Sequence, residues 1–155
     1  MEKADDCQVF SVFSDRHFML EALKEARKAF DADEVPVGAV VVCNNRIIAR
    51  AHNLTERLKD PTAHAEMMAI TAATNALGGK YLTDCTLFVS LEPCVMCAGA
   101  LGWAQIGRIV YGASDPNRGF SLMAPLAIHP RTVLTTGLEA EEASRLVKEF
   151  FARKR

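Results

Sequence analysis

Thr86-Leu87-Phe88-Val89-Ser90-Leu91-Glu92-Pro93-Cys94-Val95-Met96-Cys97-Ala98-Gly99-Ala100-Leu101-Gly102-Trp103-Ala104-Gln105-Ile106-Gly107-Arg108-Ile109-Val110-Tyr111-Gly112 is the stretch that decides the fold. Thr86 to Leu91 is apolar and rich in strand formers, so it reads as a buried strand. Pro93 sits where proline is tolerated, in the first turn of a helix that runs to about Gln105. Arg108 to Gly112 returns to a strand pattern. Strand, helix and strand follow one another with short connections, which is the unit of an α/β layer fold.

The flanks extend the same alternation. Asp60-Pro61-Thr62 punctuates the chain ahead of a predicted helix from Ala63 to Leu77, and Gly78-Gly79 stops it. Upstream, Val37 to Cys43 is a continuous apolar run, Asn44-Asn45 is a turn signal, and Arg46 to Arg50 returns as a second strand of a hairpin. Ser14 is placed to cap a helix reaching Ala32, with Met19, Ala22, Leu23, Ala26 and Phe30 as its apolar stripe. Downstream, a less regular stretch leads to a weaker strand, Thr132 to Thr136. A final helix, Glu139 to Arg153, is expected with Leu138, Ala143, Leu146, Val147 and Phe150 as its apolar face. Residues 1–13 read as an N-terminal extension and 14–155 as a single domain.

Composition narrows the class. The chain has 155 residues, 50% hydrophobic and 24% charged, the profile of a folded globular protein. No apolar run approaches the roughly 18 residues of a membrane helix, and the acidic start lacks the pattern of a secretory signal. The expected compartment is the cytoplasm. The formal net charge of −1 gives no general attraction for nucleic acid. Arg153, Lys154 and Arg155 form a small basic cluster that reads as a solvated helix end.

Five cysteines, an odd number without a secretion signal, argue against a disulfide framework. Cys94 and Cys97 stand three apart at a predicted helix N-terminus, where partial positive charge favours thiolates. A redox dithiol of thioredoxin type has its proline between or beyond the cysteines, whereas Pro93 precedes Cys94. His64 adds an imidazole at a second helix start. Three protein ligands with one open position is the pattern of a catalytic zinc site. Glu66, beside His64, is a carboxylate within reach of such a site and suited to proton transfer. Cys43 and Cys85 lie in or beside predicted strands and read as small apolar residues; Cys7, His17, His52 and His129 have no ligand spacing.

His64-x-Glu66 followed by Pro93-Cys94-x-x-Cys97 resembles the signature of the zinc-dependent nucleobase deaminases. Within that superfamily the chain resembles the bacterial tRNA-specific adenosine deaminases over about residues 14–155. The stretches that carry the likeness are Glu34-Val35-Pro36-Val37-Gly38-Ala39-Val40, Asp60 to Glu66, Leu91 to Ala100, Ile106 to Ala113 and Phe150-Phe151. The resemblance implies a cytidine deaminase-like fold: a three-layer α/β/α sandwich around a five-stranded mixed sheet. It implies a homodimer with one zinc ion per subunit on His64, Cys94 and Cys97, and no organic cofactor. It implies Glu66 as proton shuttle to a zinc-activated water. It also implies that Asn53, Val35, Ala65 (through its backbone N–H) and Asp115 meet the substrate. The reaction so implied is hydrolysis of adenosine to inosine at the first anticodon position of tRNA, with the anticodon arm as partner.

Two stretches depart from the family wording. Leu101-Gly102-Trp103-Ala104-Gln105 is closer to the guanine deaminase branch, and Phe120 to Arg131 has only a partial match. A deaminase of free guanine, cytosine or deoxycytidylate is therefore the alternative. A non-catalytic zinc module is a third reading, disfavoured by Glu66 and by the missing fourth ligand.

Overall fold

The computed structural model describes residues 14–154; the extension expected over residues 1–13 lies outside the described residues. The elements in chain order are α1 (Asp15–Asp31), β1 (Gly38–Cys43), β2 (Arg46–His52), α2 (Ala65–Leu77), β3 (Cys85–Leu91), α3 (Val95–Ala104), β4 (Arg108–Ala113), α4 (Phe120–Met123), β5 (Val133–Thr136) and α5 (Ala140–Arg153). Five strands form one sheet in the order β2-β1-β3-β4-β5. β1 runs antiparallel to β2 and β3, while β3, β4 and β5 are parallel. The expected mixed five-stranded sheet is present.

The period-2 alternation of strand side chains builds the three layers. Val40, Val42, Phe88 and Val110 point to one face, against Phe18, Met19 and Ala22 of α1. Ala39, Val41, Leu87, Val89 and Ile109 point to the other, where Ala65, Ala69 and Ala73 of α2 and Ala98 and Leu101 of α3 cover them. α5 completes the first layer: Ala143 and Leu146 pack with Leu23 and Ala26. Ser14 caps α1 as its sequence suggested, its side chain accepting from the His17 N–H at 3.2 Å. Arg108 on β4 grips Asp15 with two hydrogen bonds of 2.9 and 2.7 Å, tying the start of α1 to the sheet. Asn44 and Asn45 both have positive φ, 52° and 63°, the requirement of a tight hairpin turn.

Two helices begin later than their sequence suggested. α2 starts at Ala65 rather than Ala63, and α3 at Val95 rather than Pro93. The cause is common to both. His64 (φ −76°, ψ 152°) and Cys94 (φ −74°, ψ 175°) are extended N-cap residues, and neither side chain caps its helix. Both turn elsewhere. Pro93 accordingly stands just ahead of the cap. α4 had no sequence expectation, because four residues cannot show a helical period.

Gly38 shows how closely α1 lies on β1. A Cβ there would come within 2.1 Å of the Ala22 carbonyl oxygen and 2.3 Å of the Ala26 nitrogen. Backbone cannot step aside as a side chain can. Gly38→Ala should therefore destabilise the fold by about 3 kcal/mol, the upper end for overpacking. Urea unfolding should show this as a lower midpoint with an unchanged m-value.

Candidate active site and metal centre

The site lies along one edge of the sheet. The parallel strands β3 and β4 end there, β2 ends there at His52, and antiparallel β1 begins there. Ligands of open α/β sheets collect at the carboxyl ends of parallel strands. A cavity of about 520 Å³ opens at this edge, and its lining includes Val35, Asn53, His64, Glu66, Cys94 and Asp115.

His64 and Cys94 line the cavity, and the buried Cys97 meets them from beneath its lining. The His64 Nδ1 is 3.6 Å from the Cys94 Sγ and 3.4 Å from the Cys97 Sγ. All three donor atoms lie within 4.8 Å of one another. A tetrahedral zinc with bonds of about 2.0–2.3 Å sets neighbouring donors roughly 3.5 Å apart, so the donor set and its spacing both fit. No fourth protein ligand joins them among the described residues.

Charge around this cluster is strongly redistributed. Hydrogen bonding to Cys97 and to His64 lowers the Cys94 thiol to about 4. Cys97 is pushed up, because its proton is held against Cys94 and the thiol is buried. The hydrogen bond to Cys94 raises His64, with the Glu66 charge adding to it. Glu66 is buried, and burial lifts its carboxyl to about 7. A carboxyl poised near neutrality suits proton transfer in both directions.

His64 and Glu66, two residues apart, would diverge on a regular helix. They do not, because His64 belongs to the extended cap and Glu66 to the first turn. Asn53 follows β2 as expected and is buried. Its Oδ1 accepts from the Ala65 N–H at 2.7 Å. That bond fixes the amide orientation and leaves Nδ2 for the cavity. The Ala65 N–H is thus already engaged by Asn53. Val35 lines the cavity wall. Cys94 forms an isolated antiparallel bridge with Gly119, beside which the Phe120 N–H donates to the Pro93 carbonyl at 3.0 Å. Asp115 lies at the rim, where its Oδ1 accepts from the N–H groups of Asn117 and Arg118 and so forms a turn.

Two further carboxylates shape the cavity and carried no role in the sequence reading. Glu34, 1% exposed, accepts from the N–H groups of Glu56 and Arg57 at 3.0 and 2.8 Å. Glu92 is also buried; it accepts from the Asp115 N–H on one oxygen and from the Ser121 N–H and hydroxyl on the other. Each fastens a long loop beside the cavity. Both residues stood inside the family-like stretches, but only their burial reveals the role.

The family profile described as the cytidine and deoxycytidylate deaminase zinc-binding region matches residues 13–113. The chain therefore belongs to this family of zinc-binding deaminases. Within it the chain is 44% identical over 144 residues to the tRNA-specific adenosine deaminase of Aquifex aeolicus, covering 90% of this chain and 95% of that one. A solved structure from work on A-to-I editing by tRNA:A34 deaminases at the wobble position superposes with a TM-score of 0.78 at 44% identity, over 84% of this chain and 98% of the other. The guanine deaminase of Nitrosomonas europaea superposes with a TM-score of 0.75 at 26% identity, over 88% of this chain and 84% of that one.

Cys94→Ala should lose stoichiometric zinc while the sheet persists, as metal analysis beside circular dichroism would show. Zinc loading must expel the Cys97 proton, so affinity should rise with pH through the neutral range. Competition with a chelator at several pH values reads the slope, and a pH-independent affinity would contradict the ligand set.

Proposed function

We propose that the protein hydrolyses adenosine to inosine at the first, wobble, position of a tRNA anticodon, with Glu66 as proton shuttle and His64, Cys94 and Cys97 as zinc ligands. The observation that carries the reading is the buried Glu66 carboxyl beside one imidazole and two sulfur donors at a cavity that His64, Cys94 and Glu66 line. Relatives named for this reaction at 44% identity support the substrate.

Zinc on the three ligands supplies Lewis acidity, bringing the loss of a proton from water into the neutral range. The remaining work belongs to side chains. Glu66 takes the proton from the water and returns it to the leaving nitrogen, so adenosine and water become inosine and ammonia. Asn53, its Oδ1 held by Ala65, donates from Nδ2 to an acceptor on the base. Ala65 acts through Asn53. Val35 packs against the face of the base, and Asp115 shapes the rim through which the base enters.

The tRNA substrate sets the compartment, the cytoplasm. A homodimer is supported by an exposed apolar strip: Trp103 is 86% and Leu126 93% exposed, with Leu122 and Met123 nearby in sequence. Sedimentation should give twice the monomer mass, and Trp103→Glu should shift it toward the monomer.

A second reading, hydrolysis of a free base such as guanine, has support in the guanine deaminase superposition. Mass spectrometry separates the two. Zinc-loaded protein is incubated with an anticodon-arm RNA bearing adenosine at the first anticodon position, and in parallel with guanine, cytosine and deoxycytidylate. Inosine in the RNA with the small molecules intact is expected; the converse would overturn the tRNA reading. Glu66→Ala should keep zinc and lose about 10²–10⁴-fold in turnover.

A further inference from the structure

Glu25 on α1 is a buried acid that the chemistry above does not use. Burying a carboxylate is costly unless donors meet it, and here both oxygens are met. Oε2 accepts from the Lys28 Nζ at 2.8 Å, and Oε1 lies 3.2 Å from the His52 Nδ1. Burial alone would raise the Glu25 carboxyl, but the hydrogen bonds from Lys28 and His52 leave it below its ordinary value. An ionised carboxylate only accepts, so His52 Nδ1 carries the proton of this contact.

A second rung stands beside the first. Arg50 Nη1 donates to Glu21 Oε1 at 2.8 Å. Glu21 and Glu25 are four residues apart, about 6 Å along a helix. Arg50 and His52 are two apart, about 6.6 Å along a strand and on one face of it. The spacings match, so α1 and β2 are joined twice. The Arg50 rung is exposed and the His52 rung is half-buried. β2 has reason to need both. It ends the sheet order, with β1 on one side and no strand on the other among the described residues, and its register with β1 shifts between Val41 and Val42. Opposite His52 stands Gly38, where a Cβ would come within 2.7 Å of the Glu25 Cβ. The next residue after His52 is Asn53, whose N–H donates to the Val37 carbonyl at 3.2 Å and whose Oδ1 holds the Ala65 N–H.

We infer that Glu25 and His52 are positioning residues for Asn53: their hydrogen bond fixes the end of β2 against α1 and so sets the direction from which the Asn53 amide meets the base. This role rests on the reading above, in which Asn53 donates to the base. His52 touches neither the base nor the metal donors. It shares a peptide bond with Asn53, so any rotation of its backbone swings the Asn53 amide. A misplacement of about 1 Å in a substrate-orienting group costs up to about 10²-fold in rate. A tether on the residue just before Asn53 is the shortest route by which α1 can prevent that.

The test is a double-mutant cycle on zinc-loaded wild type, His52→Ala, Asn53→Ala and the double variant. Single-turnover deamination of an anticodon-arm RNA gives the rate, and fluorescence anisotropy of the labelled arm gives binding. Zinc content and melting temperature verify that each variant is folded. His52→Ala should slow the reaction about 10-fold while the Kd of the arm stays within about two-fold. His52→Asn places an amide nitrogen where Nδ1 stood, and Glu25→Gln keeps an accepting oxygen, so each should recover to within about three-fold of wild type. In the Asn53→Ala background, His52→Ala should cost less than about two-fold more, because its route to the base has already gone. If His52→Ala loses zinc or melts at the assay temperature, Glu25→Ala takes its place in the same cycle with the same expectation. Losses that multiply, or a folded His52→Ala with the wild-type rate, overturn the inference while leaving the tRNA reading intact. A wild type inert toward the arm overturns the tRNA reading, and the cycle is then run on whichever of guanine, cytosine and deoxycytidylate it consumes. A wild type inert toward all four overturns the role of Asn53 and this inference with it.

Discussion

Bringing three donor atoms to within bonding distance of one small ion constrains this molecule more than any other requirement. The donors come from two chain segments that are 30 residues apart, and they close to 3.6 and 3.4 Å. Neither segment could do this as a continuous helix. Each places its donor on an extended cap, where the side chain can leave the helix axis, and then starts its helix immediately afterwards. The sheet supplies the alignment. β3 delivers Cys94 to the edge at which β2 delivers Asn53, and the Asn53–Ala65 hydrogen bond pins the start of α2 to that edge. The all-alanine face of α2, Ala65, Ala69 and Ala73, lets its axis come close enough for the imidazole to reach across.

Burying carboxylates is costly unless each is matched by donors. Glu34 and Glu92 are matched by backbone N–H groups of loop residues and, at Ser121, of the first turn of α4, which no strand ladder or helix bond satisfies. Each carboxylate therefore replaces secondary structure as the element that holds a loop in place. Glu66 is different. It is as deeply buried as the other two, but its neighbours are the metal donors, so burial raises its proton affinity instead of fastening a loop. Three buried glutamates around one cavity thus divide into two fasteners and one titrating group, and only their donors tell them apart.

Most of the architecture was legible in the sequence because hydrophobic period reports burial. The valine run of β1 and the stripe of α1 announced a sheet covered by helices, and the spacing of Cys94, Cys97 and His64 announced a metal. Other features were illegible because they depend on partners distant in the chain. Nothing local shows that the Ala65 N–H is taken by Asn53, or that the Asp115 carboxylate spends itself on its own turn. The basic end of the chain is also not simply solvated. The Lys154 Nζ lies 2.7 Å from Asp33, and the Arg153 guanidinium stacks 4.2 Å over the Phe30 ring, so both bind the end of α5 to the end of α1. α4, Phe120–Met123, was hidden because four residues are too few to show a helical period.

The cysteines show that environment, not residue type, decides chemistry. Cys43 and Cys85 stand opposite each other on β1 and β3, and both were read as apolar packing. Burial, with the Cys43 thiol alongside, pushes Cys85 up to about 12, so it stays a thiol at any physiological pH. Cys94 falls to about 4 at a helix start, with a donor thiol and an imidazole against its sulfur. A soft metal binds thiolate and must displace a proton from thiol. The sheet pair therefore offers an ion, in Cys85, a buried sulfur that keeps its proton, and no imidazole, whereas the helix-start pair offers one sulfur already ionised and a second whose proton the ion can expel. Metal selects between the two pairs by that difference, and the fold creates it by ending one strand at a helix cap and keeping the other pair inside the sheet.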